Sequence, residues 1–282
     1  MSSTKEIRIR IKAIGSTAKI TKAMEMVAAS KMKKSQDAAL KNRAYATTSY
    51  EVLCNLIQDE KISHPLLSVN KNQEKKLLVV VSSDKGLCGA YNTAVIRKAM
   101  EYLKANPVTD LIAIGKKGQK LLTSLGKNII SAYTDFPIFA MQRDVAPIIT
   151  RVSHDYQLAK YHEVTVCFTE FQSTLKQTPK LKKLMPFQPD EGATCKTDRA
   201  NFKFEPSTIS VTNYVVPRII ETQFYQMVLE AIASEQSARM MAMKNATDSA
   251  EDLIEDLELT YNGLRQDSIT QELAEISAAV NN

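Results

Sequence analysis

Apolar and small residues at the start of the chain recur at alternating spacings of four and three positions. This spacing is typical of one helix of a coiled coil. Ile20, Met24 and Val27 form a second apolar row beside it. We predict a long helix that ends before His64-Pro65, and we assign it to residues 1–62. The members of the first row are Ile7, Ile11, Ile14, Ala18, Thr21, Glu25, Ala28, Met32, Ser35, Ala39, Asn42, Ala46, Ser49, Leu53 and Leu56.

The end of the chain has a similar spacing and predicts a second long helix over residues 208–282. Glycine and proline stop helices, and both are scarce at the two ends, since Gly15 is the only one before Pro65 and Gly263 the only one after Pro217. Both apolar rows are rich in alanine and polar residues, so neither helix is expected to be stable by itself. We predict that the two pair as an antiparallel coiled coil. The second row contains Ile220, Phe224, Met227, Ala231, Ala238, Met241, Leu253, Leu257, Tyr261, Leu264, Ile269, Leu273, Ile276 and Val280.

Between the two helices, short apolar runs alternate with amphipathic stretches. This order predicts a mostly parallel sheet with right-handed crossovers, a Rossmann-like α/β domain over residues 63–207. The predicted fold class is therefore α/β, with a long coiled coil added. Residues 188–207 are expected to form a loop or an edge insertion. The predicted strands are Leu77–Ser82, Leu111–Ile114, Asn128–Tyr133, Val164–Phe171 and Lys182–Phe187, and the predicted helices are Ala90–Lys104, Lys116–Leu125 and Val145–Tyr161.

The net charge of +6 conceals an asymmetry between the two ends. Residues 1–50 carry 11 Lys and Arg against 3 Asp and Glu, whereas residues 221–282 carry 3 against 12. Opposite charges on two long helices favour their pairing. The basic first helix also leaves open an alternative, a coiled-coil protein that binds nucleic acid through Lys31, Lys33 and Lys34. The acidic last helix opposes that alternative.

The stretch SSDKGLCGAYN, residues 82–92, follows an apolar strand and contains two glycines, as phosphate-binding loops do. A P-loop needs Lys and then Ser or Thr after its last glycine, but Gly89 is followed by Ala90-Tyr91. The dinucleotide-binding form needs three glycines, and only two are present. We therefore favour a tight turn at the end of a strand, and we predict no bound cofactor.

Catalytic and metal-binding patterns are weak throughout the sequence. The best nucleophile candidate is Cys88, because a cation such as Lys85 lowers the pKa of a nearby thiol, but no base partner is evident. The three histidines, His64, His154 and His162, lack a pattern of carboxylates around them. The four cysteines have no metal-ligand spacing, so we expect free thiols in a reducing compartment. The chain is not predicted to be an enzyme by itself.

Targeting signals are also missing from the sequence. No segment reaches the roughly 18 consecutive apolar residues of a membrane helix, and the N-terminus MSSTKEIRIR has no apolar signal core. We expect a protein on the cytoplasmic side that can still dock on a membrane complex.

Three long segments resemble one known family, the gamma subunits of F-type ATP synthases. They are KEIRIRIKAIGSTAKITKAMEMVAASKMKKSQ near the start, SSDKGLCGAYN in the middle, and SEQSARMMAMKNATDSAEDLIEDLELTYNGLRQDSITQELAEI near the end. The resemblance spans residues 4–280. It implies a non-catalytic rotor shaft, one copy per complex, which couples ion flow to ATP synthesis or hydrolysis in beta subunits. The implied partners are three alpha and three beta subunits, an epsilon subunit and the c-subunit ring.

The resemblance also implies roles for individual residues. Contacts with beta subunits, or coupling to them, are implied for one residue of the first helix, one of the middle loop and five of the last helix. The tip of the last helix is implied to turn in an apolar sleeve. Only Cys195 lies in the region where plastid members have two regulatory cysteines, and no transit peptide precedes the family start, so we expect a bacterial protein on the inner membrane. The implied coupling residues are Met24, Lys85, Arg239, Arg265, Gln266, Thr270 and Glu272, and the implied tip residues are Ile276 and Val280.

Overall fold

The computed structural model describes residues 4–57, 64–70, 73–187, 205 and 207–280. Along the chain, a long helix comes first, a run of shorter elements follows, and a second long helix comes last, as the spacing of apolar residues predicted. In chain order the elements are α1 (Thr4–Ile57), β1 (Lys76–Val81), α2 (Tyr91–Ala105), β2 (Thr109–Ile114), α3 (Lys116–Ser124), β3 (Ile129–Tyr133), α4 (Gln142–Gln157), β4 (Glu163–Phe171), β5 (Gln177–Met185) and α5 (Thr208–Val280).

The five strands form one sheet in the order β3-β2-β1-β4-β5. The pairs β1–β2, β1–β4 and β2–β3 are parallel, and the pair β4–β5 is antiparallel. The predicted fold class, a mostly parallel α/β sheet between two long helices, is confirmed. The sequence placed the last strand at Lys182–Phe187, but β5 begins earlier, at Gln177. Its first half carries Pro179 and Lys180 on an edge strand, so it lacks the apolar run on which the prediction depended.

Each face of the sheet is covered by helices, because the buried strands are apolar on both sides. On one face, Leu78 and Val80 pack against Val95 and Ala99 of α2. The core on the other face is larger and takes in residues of α4 and of both long helices. Its members include Leu77, Val79, Val81, Ile112, Val166, Ile148, Val152, Leu53, Ile220, Phe224 and Val228.

The chain divides into two compact units. One unit contains α1 as far as Ala28 together with α5 from Arg239 onward. The other comprises Ala29–Ala238, so it includes the adjoining parts of both long helices as well as the sheet. The reason lies in the side chains, since Leu53 of α1 and Phe224 of α5 are fully buried in the core of the α/β domain. The predicted loop at 188–207 lies almost entirely outside the described residues.

Within the larger unit, α1 and α5 run antiparallel and are joined by polar side chains. Asn42 Nδ2 donates to Gln226 Oε1 (2.9 Å), and Gln223 Nε2 donates to the Ala46 carbonyl (2.8 Å). Arg43 forms an ion pair with Glu230 at 3.2 Å. Residue numbers therefore rise along α1 as they fall along α5.

Within the smaller unit, the two helices also run antiparallel. The hydroxyls of Thr21 and Thr247 lie 2.8 Å apart, and Gly15 faces the Ile254 side chain. The predicted seam of α1 is confirmed, because Ile7, Ala18 and Ala28 are buried. The choice of Leu253 in the opposite seam is wrong: that side chain is exposed, and the neighbouring Ile254 faces α1 instead.

Candidate functional site

The segment 82–90 lies at the carboxyl end of β1, where α/β proteins commonly bind ligands. Ser82 extends the strand, since its N–H donates to the Ile114 carbonyl (2.8 Å), and its Oγ accepts a hydrogen bond from the Gly118 N–H (2.9 Å). A Cβ atom at Gly118 would overlap the Ser82 Oγ and lie 2.7 Å from its Cβ. Glycine at 118 is thus required because α3 packs directly against the end of β1.

The first amides of α3 bind acceptors of the chain itself. Lys116 N–H donates to Asp84 Oδ1, Lys117 N–H to the Ser83 carbonyl, and Gly118 N–H to Ser82 Oγ, each at 2.9 Å. In nucleotide-binding folds, amides at such a helix start bind phosphate oxygens. Here the three consecutive residues Ser82, Ser83 and Asp84 take those positions, which favours the interpretation of this segment as a structural turn.

The carboxylate of Asp84 accepts two further backbone hydrogen bonds from the loop after β3. Asp135 N–H donates to Oδ1 (3.1 Å) and Phe136 N–H donates to Oδ2 (2.8 Å). Lys116 Nζ forms an exposed ion pair with the Asp135 carboxylate at 2.6 Å. The sequence analysis missed this role of Asp84. The signal was an acidic residue directly after a buried strand, but its partners lie more than thirty residues away in the chain.

Ser83 connects the loop to the start of α2. Its N–H donates to Asn92 Oδ1 at 3.0 Å, and its Oγ accepts a hydrogen bond from Asn92 Nδ2 at 2.7 Å. Asn92 Nδ2 in turn donates to Cys88 Sγ at 3.2 Å, and the Cys88 side chain is buried. The nucleophile candidate therefore points into the loop and away from solvent.

The surface of the loop is formed by Lys85 and Leu87. Both side chains are exposed, Leu87 to 62%. Leu87 adopts a positive φ of 60°, which is uncommon for a residue with a Cβ atom, and Gly89 follows with a φ of 55°. The exposed part of the loop is thus a tight and strained turn.

The remaining predicted coupling residues lie on the long helices, in the smaller unit. Met24 is half-buried on α1, and Arg239 is nearly buried on α5. Arg265, Gln266, Thr270 and Glu272 are all exposed on α5, where the Thr270 hydroxyl donates to the Gln266 carbonyl at 2.9 Å. At the tip, Ile276 is exposed and Val280 is the last residue of α5. Arg265, Gln266, Thr270 and Glu272 thus lie close together along one stretch of α5, whereas Arg239 lies farther toward its start. The roles of all these residues stay predictions.

The histidines serve structural roles or lie at the surface. His64 is buried and its Nδ1 accepts the Leu66 N–H at 3.1 Å, and burial lowers the pKa of its imidazole. His162 Nδ1 lies 3.2 Å from the Asn70 carbonyl, and His154 is exposed on α4. Among the described residues, no group of His, Cys, Asp and Glu side chains is placed to hold a metal ion.

Comparison with known proteins places the chain among ATP synthase components. The family model described as ATP synthase matches residues 3–282. A curated ATP synthase gamma chain of Herpetosiphon aurantiacus is 40% identical over 291 residues, which covers 99% of this chain and 98% of the relative. The ATP synthase gamma chain of Methylibium petroleiphilum is 40% identical over 289 residues, with 98% and 97% covered.

Solved structures agree with this placement. A chain in the central stalk and c-ring structure of the Tetrahymena thermophila mitochondrial ATP synthase has a TM-score of 0.62 and 26% identity, and it covers 80% of this chain and 99% of its own. A chain in the rotor of the Euglena gracilis mitochondrial ATP synthase shares the fold with a TM-score of 0.69 at 18% identity, with 94% and 98% covered. The comparisons lend no support to the nucleic-acid alternative. From its first helix to its last, the chain belongs to the family of ATP synthase gamma chains.

Proposed function

We propose that this chain is the central rotor shaft of an F-type ATP synthase and couples ion flow through the membrane sector to ATP synthesis or hydrolysis in beta subunits. The observation that carries this proposal is the match to gamma chains over nearly the whole length of both partners. The two antiparallel long helices suit the task, because a rotating shaft must transmit torque without separating. The proposed partners are the alpha and beta subunits, an epsilon subunit and the c-subunit ring.

The exposed surface of α5 supports a shaft that is enclosed by partners. Ile269, Leu273 and Ile276 follow helical spacing and are 48%, 60% and 61% exposed. On α1, Ile20 and Val27 are exposed as well. Rows of exposed apolar side chains on long helices are typical of surfaces that another protein covers. The small neutral residues near the tip suit low-friction rotation, because charged residues would favour fixed ion pairs.

The chain itself is proposed to be non-catalytic. The amides that could cradle a phosphate at the start of α3 bind Asp84, Ser83 and Ser82, and the Cys88 thiol is buried. ATP chemistry would then take place in the beta subunits, and this chain would act on them mechanically.

Coupling requires a shaft surface that differs from one beta subunit to the next. Each elementary charge that crosses the membrane supplies roughly 2.3 kcal/mol per 100 mV, so several must be summed for each ATP released. The shaft shifts the balance between open and closed beta conformations only if it contacts the two differently. Met24, Lys85 and Arg239 are proposed to make such contacts, together with Arg265, Gln266, Thr270 and Glu272 on the exposed part of α5.

The location proposed for this chain is the cytoplasmic side of the inner membrane, as a peripheral subunit held through the c-subunit ring. Within the part of the chain that the structure describes, every helix is too short or too polar to cross a membrane.

Reconstitution tests this proposal. Alpha and beta subunits are mixed with and without this chain, and ATP hydrolysis and complex size are measured. The chain by itself is expected to hydrolyse no ATP, and its addition is expected to give a stable complex that hydrolyses ATP. A tight nucleotide complex of the isolated chain, or a failure to assemble with alpha and beta, would count against it.

A further inference from the structure

One carboxylate, that of Asp84, connects three loops at the same edge of the sheet. Asp84 lies in the loop after β1, and its Oδ1 accepts the N–H of Lys116, which follows β2, at 2.9 Å. The N–H groups of Asp135 and Phe136, which follow β3, donate to Oδ1 (3.1 Å) and Oδ2 (2.8 Å). The loop after β1 is thereby fixed to the segments that follow β2 and β3.

The three hydrogen bonds to Asp84 are stronger than ordinary backbone hydrogen bonds, because their acceptor is ionised. A hydrogen bond to an ionised acceptor is roughly twice as strong as one between neutral groups, and three N–H donors converge on one carboxylate here. The two preceding residues add further hydrogen bonds. Ser82 Oγ accepts the Gly118 N–H, the Ser83 carbonyl accepts the Lys117 N–H, and the Ser83 N–H donates to Asn92 Oδ1. Residues 82–84 therefore form an anchor, which we call the Ser82–Asp84 anchor.

The anchor ends directly before the exposed part of the loop. Ser83 Oγ donates to the Lys85 carbonyl at 2.7 Å, which holds the backbone at the first exposed residue. Leu87 then adopts its left-handed conformation with a φ of 60°. Conformations of this kind cost energy and persist only where the surrounding structure imposes them. The anchor supplies that constraint on one side of the turn, and α2 supplies it on the other.

We propose that Asp84 is a positioning residue for energy coupling: its carboxylate holds Lys85–Gly89 in one conformation, so that Lys85 meets each beta subunit in a fixed orientation as the shaft turns. This inference rests on the proposed coupling contact at Lys85. The carboxylate of Asp84 is taken up by backbone N–H groups of this chain, so its proposed role does not require contact with a partner. It acts through the backbone of the loop, because a mobile loop would move with the partner and transmit less force to it.

The test compares Asp84→Asn with Asp135→Asn in the reconstituted complex. Both replacements remove one negative charge, but the Asp135 carboxylate is exposed and pairs with the Lys116 side chain, outside the anchor. An amide has a single acceptor oxygen, so Asp84→Asn directs an NH₂ group at one or two of the three N–H donors. Hydrogen exchange at the amides of residues 85–89 is expected to become at least about tenfold faster in Asp84→Asn. The same amides are expected to change by less than about twofold in Asp135→Asn.

A second readout separates positioning from general destabilisation. ATP-driven ion pumping per ATP hydrolysed is measured for Lys85→Ala, Asp84→Asn and the double variant, in membrane vesicles that contain the whole synthase. If Asp84 acts through Lys85, the loss caused by Lys85→Ala is smaller in the Asp84→Asn background than in the wild type. Equal loss in both backgrounds would overturn the proposal, as would loop exchange that is the same in Asp84→Asn and Asp135→Asn.

Asp84→Glu keeps the measurement informative if Asp84→Asn fails to assemble. Glutamate retains the charge and both acceptor oxygens but displaces them by one methylene group. We therefore predict a hydrogen-exchange rate at residues 85–89 that lies between the wild-type rate and the rate expected for Asp84→Asn. Wild-type exchange in this variant would contradict the anchor. The single variant Lys85→Ala tests the proposed Lys85 contact separately from the anchor. Normal pumping in that variant would overturn the contact, whereas the hydrogen-exchange data test the anchor independently.

Discussion

At Gly118, the first turn of α3 lies against the side chain of Ser82. Gly118→Ala places a methyl group into the Ser82 Oγ and Cβ, and Ser82 is held by its bonds to Ile114 and Gly118. We expect this change to lower the free energy of unfolding by about 1–3 kcal/mol, because overpacking outweighs the higher helix propensity of alanine. Urea denaturation of the full chain measures it.

Gly263 offers the matched control for this substitution. It lies in the exposed part of α5, and a Cβ atom there would meet nothing within 4 Å. Gly263→Ala should therefore raise the stability of the helix by about 0.5–1 kcal/mol. Equal effects of the two substitutions would contradict the close packing of α3 on the end of β1.

His64 gives the chain a pH-dependent stability. Burial lowers the pKa of its imidazole, and Nδ1 must stay unprotonated to accept the Leu66 N–H. As pH falls below about 7, His64 binds a proton in the unfolded chain at a higher pH than in the folded chain. The free energy of unfolding therefore falls as the pH drops from the ordinary histidine pKa to the lower pKa of the folded chain. Unfolding followed between pH 7.5 and 5 should show this loss.

His64→Asn keeps an acceptor near the Leu66 N–H and removes the titrating group. We expect a smaller loss of stability across the same pH range in this variant. His154→Asn removes an exposed histidine and should leave the wild-type pH dependence unchanged. A His64→Asn chain with the full wild-type loss would show that another group is responsible.

In the larger unit, the ion pair between Arg43 of α1 and Glu230 of α5 joins a partly exposed side chain to a nearly buried one. The side chain of Glu230 is 11% exposed and that of Arg43 is 49% exposed, and Gln226 Nε2 also donates to Glu230. Arg43→Met leaves a buried carboxylate without its cation, so we expect a loss of about 1–3 kcal/mol in unfolding free energy. The urea midpoint reports the change.

The double variant Arg43→Met/Glu230→Met removes the charge that the single variant leaves behind. It should recover most of the loss, since a buried ion pair often contributes little over well-packed apolar residues. Lys98→Met, which breaks an exposed pair with Glu101, should change stability by less than about 0.5 kcal/mol. A double variant that is less stable than Arg43→Met would contradict this account of the ion pair.

The elements that follow a regular pattern were predictable from the sequence. The seam of α1 from Ile7 to Leu53 was correct, because burial of one helix face imposes a fixed spacing. The start of α4 was placed at Val145, although the helix begins at Gln142. Asp144 caps that first turn by accepting the Met141 N–H at 2.8 Å. No Ser or Thr precedes the helix, and a cap from the third helical residue alone is a weak sequence signal for a helix start.

Tertiary contacts were beyond the sequence pattern. The segment 82–92 was recognised as a turn, but the role of Asp84 depends on amides from two distant loops, which no local spacing records. The burial of Cys88 likewise follows from Asn92 and the fold of the loop. The spacing assigned Leu253 to the seam, whereas the adjacent Ile254 faces α1, because the facing helix decides which of two neighbouring apolar residues is covered.

At the scale of the whole molecule, the central claim is that this chain turns inside its complex as a shaft. The exposed Leu175 is replaced by cysteine, and Cys195 is replaced by serine. A visible probe is attached to the new cysteine, and the labelled chain is assembled with alpha and beta subunits that are fixed to a surface. Rotation of the probe is then recorded while ATP is hydrolysed. We predict stepwise rotation in one direction that stops when ATP is removed. A probe that keeps a fixed orientation while the same complexes hydrolyse ATP would contradict the account.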